Sequence, residues 1–417
     1  MSTAVVPALI DTDADDWPGE LDRLRARLGA PDNPTLFPAH FLKATLPKIG
    51  GAVVAFRRDS ELVGAGFLFP RALEEGRRVY TLCYHRASAD FSAAAAQGYV
   101  GAVGGLLGAA EVVFHDPAAP QRYAEDAVAD ERGVTLAAPS ATEAAAIPAL
   151  QARIWGTSPD FLYPSDLHSA GFGPGSTLVA RLDGELVGFL FGFAKFGGSP
   201  LPARWARQFR ADFRLESQLL GVLPTVRQGG LGLLLKQRQG ELARQQGIGV
   251  VNWTVDPLQF GNAVLNFGRL RAVAFDFYPD HYGFRNALNQ VAASRFGITW
   301  LVQTARVRRA LAGAERGAFV DLAARPDIPR TNTGWRAFRR NLDAPTIAIE
   351  VPADWTAVQH RDLDEATCWR ETTDAVFAHY LGPQPGRYAI VDVGHDADRR
   401  YLIAERVTEG FLDRYGA

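Results

Sequence analysis

Cysteine is nearly missing from this chain: Cys83 and Cys368 are the only two in 417 residues, far apart and outside any CxxC. Such scarcity excludes a disulfide framework and offers no zinc-finger spacing, so no metal is expected and a reducing, cytoplasmic setting is. Cys83 has no base recognisable beside it in the sequence. A surplus of one charge sign is missing too, since the formal net charge is −2; no basic field exists to attract nucleic acid. The opening MSTAVVPALIDTDADD has no basic leader and turns acidic at once, which argues against a secretory signal. The following acidic stretch, DTDADDWPGE, is not a calcium loop, because Asp16 stands where the sharp turn needs glycine. HExxH, GxSxG and the Gly-Lys pair of a Walker loop are all absent, and Gly230-Leu-Gly232 runs into three leucines instead of completing GxGxxG. Zinc hydrolase, serine hydrolase, P-loop and dinucleotide readings therefore have no footing.

Long apolar runs are scarce as well. FSAAAAQGYVGAVGGLLGAA (91–110) carries no charge and is about the length that crosses a bilayer. Its alanines and glycines contribute little transfer energy, so it reads as a helix buried against a sheet and no membrane partner is expected.

What is present is a faint internal repeat. VVAFRRDSELVGAGFLF (53–69) echoes LVARLDGELVGFLFGF (178–193), each an apolar run, a polar turn, ELVG and a second apolar run, the pattern of an antiparallel hairpin. AAEVVFHDP (109–117) echoes GVVNWTVDP (249–257), each a β-rich run that proline ends. A chain of this length exceeds one ordinary core, and the repeat divides it into residues 1–132, 133–303 and an arginine-rich α/β extension, 304–417. The second unit opens at VTLAAPSATEAAAIPALQARIW (134–155), a strand followed by a helix capped by Ser140 or Thr142. The fold class expected is α/β, with α+β mixed sheets.

VLPTVRQGGLG (222–232) joins an apolar run ended by proline to the amphipathic LLLKQRQGELARQQ. Glycines there let a ligand approach the backbone, and the unpaired N–H groups of a helix N-terminus suit a pyrophosphate; a plain strand-to-helix turn has the same composition.

That stretch resembles the coenzyme A loop of the GNAT acyltransferases, in which an apolar strand ending V-x-P enters [RQ]-x-x-G-x-[GA] and a long helix. The resemblance spans about 134–303 and is strongest from GVLPTVRQGGLG through NWTVDPLQFGNAVLN to YPDHYG, where it is similar to a bacterial GNAT group of poorly defined substrate. It implies two tandem GNAT-type domains with a C-terminal α/β extension, the first copy degenerate because SADFSAAAAQGYVG stands in place of the loop. It also implies an acyl-CoA cosubstrate, acetyl or succinyl, bound by Leu220, Val222, Arg227, Gln228, Gly229, Gly230, Gly232 and Leu233. Transfer would go directly to the amine of a small molecule such as an amino acid, by a chain acting alone or as a homodimer. The alternative is a non-catalytic acyl-CoA-binding or assembly module.

Such chemistry needs a base more than an acid, because the attacking amine must lose a proton whereas the departing thiol has a pKa of about 8.5. Glu216, eleven residues before Arg227, is at the spacing of the family's glutamate base; its plain reading is an ionised glutamate at a strand's solvent end. The oxyanion would meet backbone N–H groups around Leu220 to Leu223, with a bulge at Gly221. Lys236 and Arg238 are candidates for phosphate charges. Phe267 falls where many relatives carry an acidic tyrosine, which leaves Tyr282 as the proton donor, with Tyr278 and His281 as alternatives. Asn262 and Asn266, one helical turn apart, would share a face toward pantetheine or acceptor, or cap and decorate the helix. Asp256 orients an acceptor ammonium or caps the turn that Pro257 begins.

Overall fold

The computed structural model describes residues 4–28, 36–123, 127–129, 133–173, 177–282, 289–313 and 319–417, with backbone only at 127–129, 228 and 229. The chain forms two compact units, Met1–Gly198 with Asp212–Leu242, and Ser199–Ala211 with Ala243–Ala417. Neither limit coincides with the sequence-based boundaries; the one near residue 132 falls outside the described residues.

The first unit begins with β1 (Val6–Ile10), β2 (Ala52–Arg58), β3 (Glu61–Glu74), β4 (Arg77–Arg86) and β5 (Glu111–His115), adjacent in that order. The β2–β3 hairpin turns on Asp59 and Ser60, both at positive φ, the backbone that tight two-residue hairpins require. β5 lies parallel to β4, so the chain must cross over between them. That crossover is the uncharged 91–110 stretch, split into helices Ala93–Gln97 and Val100–Leu107. Val103 is buried while Leu106 is 49 % exposed, so only one side of the second helix meets the sheet. Among the described residues no helix is long and apolar enough to cross a membrane.

Next come β6 (Ala127–Ala129), β7 (Val134–Ala137), β8 (Leu178–Leu182), β9 (Glu185–Phe196) and β10 (Phe213–Val222), an antiparallel series in sequence order. Helix Ala141–Trp155 follows β7, and Ser140 starts it with a capping box to Glu143. The two halves of this unit share one core. Phe69 of β3 stacks on Phe193 of β9 with centroids 5.8 Å apart, and Phe41 approaches the same ring at 4.8 Å. The first repeat packs one face of its sheet into a core largely its own, Val54, Leu82 and Val103 among its members, and shares the core on the other face with the second repeat.

The second unit contains β11 (Val250–Val255), β12 (Val273–Tyr282), β13 (Ala293–Leu301), β14 (Val320–Asp321), β15 (Asn332–Thr333), β16 (Ala337–Phe338), β17 (Thr346–Val351), β18 (Tyr388–Asp396) and β19 (Arg399–Arg406). Its sheet runs β11–β13–β12–β18–β19–β17, with β14 parallel to β18. Residues 304–417 thus extend the sheet of the preceding segment through the Ala274–Ile390 pairing of β12 and β18. Helix Glu409–Gly416 buries Phe411 against Trp205 and Phe275.

Candidate functional site

The loop singled out in the sequence sits at the C-terminal end of β10. β10 pairs with β9 in register until the pairing shifts between Ser217 and Leu219, which makes Gln218 the extra residue of a bulge. The bulge expected at Gly221 is thus three residues earlier. Gly221 is instead paired with Phe189, and a Cβ there would lie 2.9 Å from atoms of Ile154, Trp155 and Phe189. Its glycine is a packing requirement. Gln218 turns its amide to the Tyr163 hydroxyl at 3.0 Å.

Beyond Val222 the Leu223 N–H donates to Val187 O at 2.9 Å, within the sheet. That occupies one of the backbone donors proposed for an oxyanion. Pro224–Gly229 form a tight helical turn, Gly230 takes the left-handed conformation at φ 74°, and helix Leu231–Gln245 begins. The first N–H groups of such a helix have no partner within it. Leu233 and Leu234 already donate to Gly230 O at 3.0 and 3.2 Å, which tightens the start. Arg227 folds back, its Nε donating to Val222 O at 3.2 Å, and ties the loop to the strand it leaves. The side chain of Gln228 lies outside the described residues. Leu220 is half-buried opposite Leu190, and Val222 is buried opposite Gly188. Gly232 leaves room beside Leu220, whose Cδ2 would be 3.6 Å from an added Cβ.

Glu216 lies in mid-strand, not at a solvent end. Its Oε2 accepts from Lys195 Nζ at 2.8 Å, and the two side chains are only 16 % and 13 % exposed. Lys236 is enclosed, donating to Ser217 Oγ at 2.7 Å and Gln239 Oε1 at 3.2 Å; burial pushes its ammonium well below the ordinary lysine range. An ammonium so enclosed braces the bulge and has no part at a solvent-open phosphate. Arg238 pairs with Glu241 one turn along.

The remaining candidates belong to the second unit. Asp256 caps the turn, its Oδ1 accepting from Leu258 N, and both its oxygens take Arg370 Nη2 at 2.9 Å. Arg370 comes from helix Leu363–Tyr380 of the C-terminal extension, a partner no local motif announces. Tyr282 sets its hydroxyl 3.3 Å from Thr254 Oγ1, under the Arg295 guanidinium; the Tyr278 hydroxyl meets Ser199 Oγ at 2.6 Å. Asn262 and Asn266 do not share a face. The chain passes into a π-helical turn at Val264–Arg269, whose i→i+5 bonding adds a residue to the turn. Asn262 is left exposed and Asn266 is buried at 2 %. Asn262 is not the cap either, since that position is Gln259. Phe267 is buried at 1 % in the same turn.

Cys83, expected to stand alone, has His85 Nε2 at 3.6 Å, two residues along the same strand. Close by, His115 Nε2 and Asp166 Oδ2 share a hydrogen bond of 2.8 Å.

No family model matches the chain, and no curated protein does. Among solved structures it is similar to Ard1 from Thermoplasma volcanium, at 20 % identity and TM-score 0.30, over 41 % of this chain and 99 % of that one. It is similar to an acetyltransferase of the GNAT family from Streptococcus pneumoniae at 18 % identity and TM-score 0.31, over 40 % and 97 %. A diaminobutyrate acetyltransferase from Paenibacillus lautus, solved with its substrate and coenzyme A, gives 15 % and 0.30, over 41 % and 96 %.

Proposed function

We propose that the chain is an acyl-CoA-dependent N-acyltransferase, with the loop from Pro224 to Gly232 receiving the pyrophosphate of the cosubstrate. The observation that carries this reading is the left-handed Gly230 at the mouth of helix Leu231–Gln245, directly after the bulged strand β10. A helix start with unpaired N–H groups and a positive dipole end suits an anion, and the resemblance of the loop sequence supplies the identity of that anion.

In this reading the acyl group is acetyl or succinyl and the acceptor a small amine, an amino acid included. The amine nitrogen attacks the thioester carbonyl, its proton passes to Glu216, and the carbon–sulfur bond breaks to release the thiolate of coenzyme A. Lys195 holds the Glu216 carboxylate in place at 2.8 Å. Backbone N–H groups around Leu220 to Val222 serve the oxyanion. Tyr282 is proposed as proton donor to the thiolate from the sequence resemblance alone. The first repeat is a degenerate copy that binds no coenzyme A: its corresponding segment carries Asp90, fixed by Ser88 and Arg58, where a phosphate would be repelled. The protein acts in the cytoplasm, without nucleic acid or membrane.

The burial of Phe267 favours a second reading, a module that binds acyl-CoA without turning it over. Calorimetry with coenzyme A, alongside free-thiol release from acetyl-CoA and succinyl-CoA over a panel of amino acids and polyamines, separates the two. Binding with turnover supports the transferase, and binding alone supports the module. Absence of binding removes both.

A further inference from the structure

Four buried ligand-type side chains converge in the first unit, away from the loop just described. Cys83 and His85 are two apart on β4, and strand geometry sends such residues to the same face. The parallel register of β4 and β5 sets His115 directly opposite Cys83. Asp166 arrives from the short helical turn Ser165–His168. One ligand atom each from Cys83, His115 and Asp166 lies within 4.8 Å of the others, and His85 Nε2 is 3.6 Å from Cys83 Sγ. Exposure is 0 % for Cys83, 1 % for His85, 4 % for His115 and 5 % for Asp166.

Among the described residues, one atom of this cluster has no partner. Asp166 Oδ2 is bound by His115, but Oδ1 is buried without a hydrogen bond, a costly condition for a carboxylate oxygen. A cation among the four groups would satisfy it. Zinc bonds of about 2.3 Å to sulfur and about 2.0–2.2 Å to nitrogen or oxygen put tetrahedral ligands roughly 3.3–3.8 Å apart. The ligand atoms of Cys83, His115 and Asp166 are within about an ångström of that size, and His85 adjoins Cys83. A sulfur, two imidazoles and a carboxylate form a mixed set that suits zinc better than calcium or magnesium, which prefer oxygen.

We propose that Cys83, His115 and Asp166, with His85 beside Cys83, form a structural zinc site that ties β4 and β5 of the first repeat to the segment opening the second. His85, 3.6 Å from Cys83 Sγ, is placed to supply the fourth ligand, and the burial of all four side chains keeps substrate from the metal. On loading, the Cys83 thiol gives its proton to solvent and becomes a thiolate. His115 binds through Nε2 while its ring proton sits on Nδ1. At least one proton leaves per zinc. A nucleophilic Cys–His pair is the other chemistry these groups could offer, but a sulfur with no exposure cannot meet a substrate. The sequence conceals the set because its members come from three elements.

The decisive experiment uses the full chain with Cys368→Ser, which removes the other thiol. After chelation, cobalt(II) is titrated in, and zinc is then added in competition. The expected result is one cobalt per chain, a thiolate-to-cobalt band in the near ultraviolet with intense tetrahedral visible bands, and their loss on zinc addition. Cys83→Ser abolishes the thiolate band, and Asp166→Asn weakens cobalt binding at least roughly tenfold. Chelation of the zinc-loaded protein lowers its unfolding temperature. Should the single variants misfold, the Cys368→Ser parent alone decides, since native protein that takes up no cobalt or shows no thiolate band overturns the site. A band that persists in folded Cys83→Ser overturns it equally. None of these readouts depends on acyl transfer.

Discussion

Lys195 and Glu216 meet diagonally across β9 and β10: Lys195 is paired with Arg214 and Glu216 with Phe193, yet ammonium and carboxylate come within 2.8 Å. The pair is mostly enclosed and one residue short of the bulge. Among the described residues the other oxygen of this enclosed carboxylate has no hydrogen bond given to it, which leaves it open to take a proton as a general base must.

Glu216→Gln keeps the shape and removes the proton acceptor. Coenzyme A binding is expected to stay at the parent level while turnover falls about 10²–10⁴-fold. Lys195→Met, which frees the carboxylate without deleting it, should lose less turnover than Glu216→Gln and displace the pH profile. Steady-state thiol release across pH reads both. Equal turnover in Glu216→Gln and parent would reduce Glu216 to a strand partner of Lys195.

Gly230 separates backbone demand from ligand demand. At φ 74°, asparagine is the side chain that best tolerates the position, whereas glutamate adds both strain and a carboxylate at the helix start. Gly230→Asn should cost at most about 1 kcal/mol of stability and keep much of the coenzyme A affinity, whereas Gly230→Glu should abolish binding. Calorimetry paired with thermal unfolding distinguishes the two effects. Parent-like affinity in Gly230→Glu would remove the pyrophosphate from this loop.

How much of this was legible beforehand depends on the range of the determining contacts. The hairpins at 53–69 and 178–193 could be read because turn chemistry and alternation are local, and Ser140 with Glu143 spells out its own cap. The strand-to-helix loop was legible for the same reason. Glycine is the usual local sign of a bulge and points to Gly221, while Gln218 owes its place to β9, Tyr163 and the Lys236–Ser217 bond. α-Helical spacing gives Asn262 and Asn266 one face, and a π turn does not obey that spacing. Arg370 on Asp256, and the shared Phe69–Phe193 core, join residues more than a hundred positions apart. No local pattern encodes such pairs.

Gly221 offers a packing test independent of any ligand. Atoms of Ile154, Trp155 and Phe189 each stand 2.9 Å from where a Cβ would be, and two of them belong to the end of helix Ala141–Trp155. Gly221→Ala should destabilise the first unit by about 1–3 kcal/mol, the range for overfilling a packed interior. The denaturant midpoint reports it, with the m-value unchanged. A midpoint equal to the parent's would mean that the three side chains yield freely.

Asp374 supplies a pH dependence in the second unit. Its carboxyl accepts from Ser294 Oγ at 2.6 Å, and burial, the largest influence, raises its pKa from 3.8 to about 6 against the pull of Ser294 and Arg370. Between those two values the folded chain binds more protons than the unfolded one, so this group's contribution is fully present below pH 3.8 and is lost as pH rises through 6. Asp374→Asn removes the ionisation and keeps an acceptor oxygen for Ser294. The variant is expected to be more stable than the parent by about 1–2 kcal/mol at pH 7, after allowing for partial exposure, and to lose that advantage near pH 4. Urea midpoints measured from pH 4 to pH 8 decide it: the two curves should meet near pH 4, separate between pH 4 and pH 6, and stay apart above that. Separation in the opposite sense would mean that attraction from Arg370, whose Nη1 lies 3.9 Å from Asp374 Oδ1, outweighs burial, and that the carboxylate is stabilised where it stands.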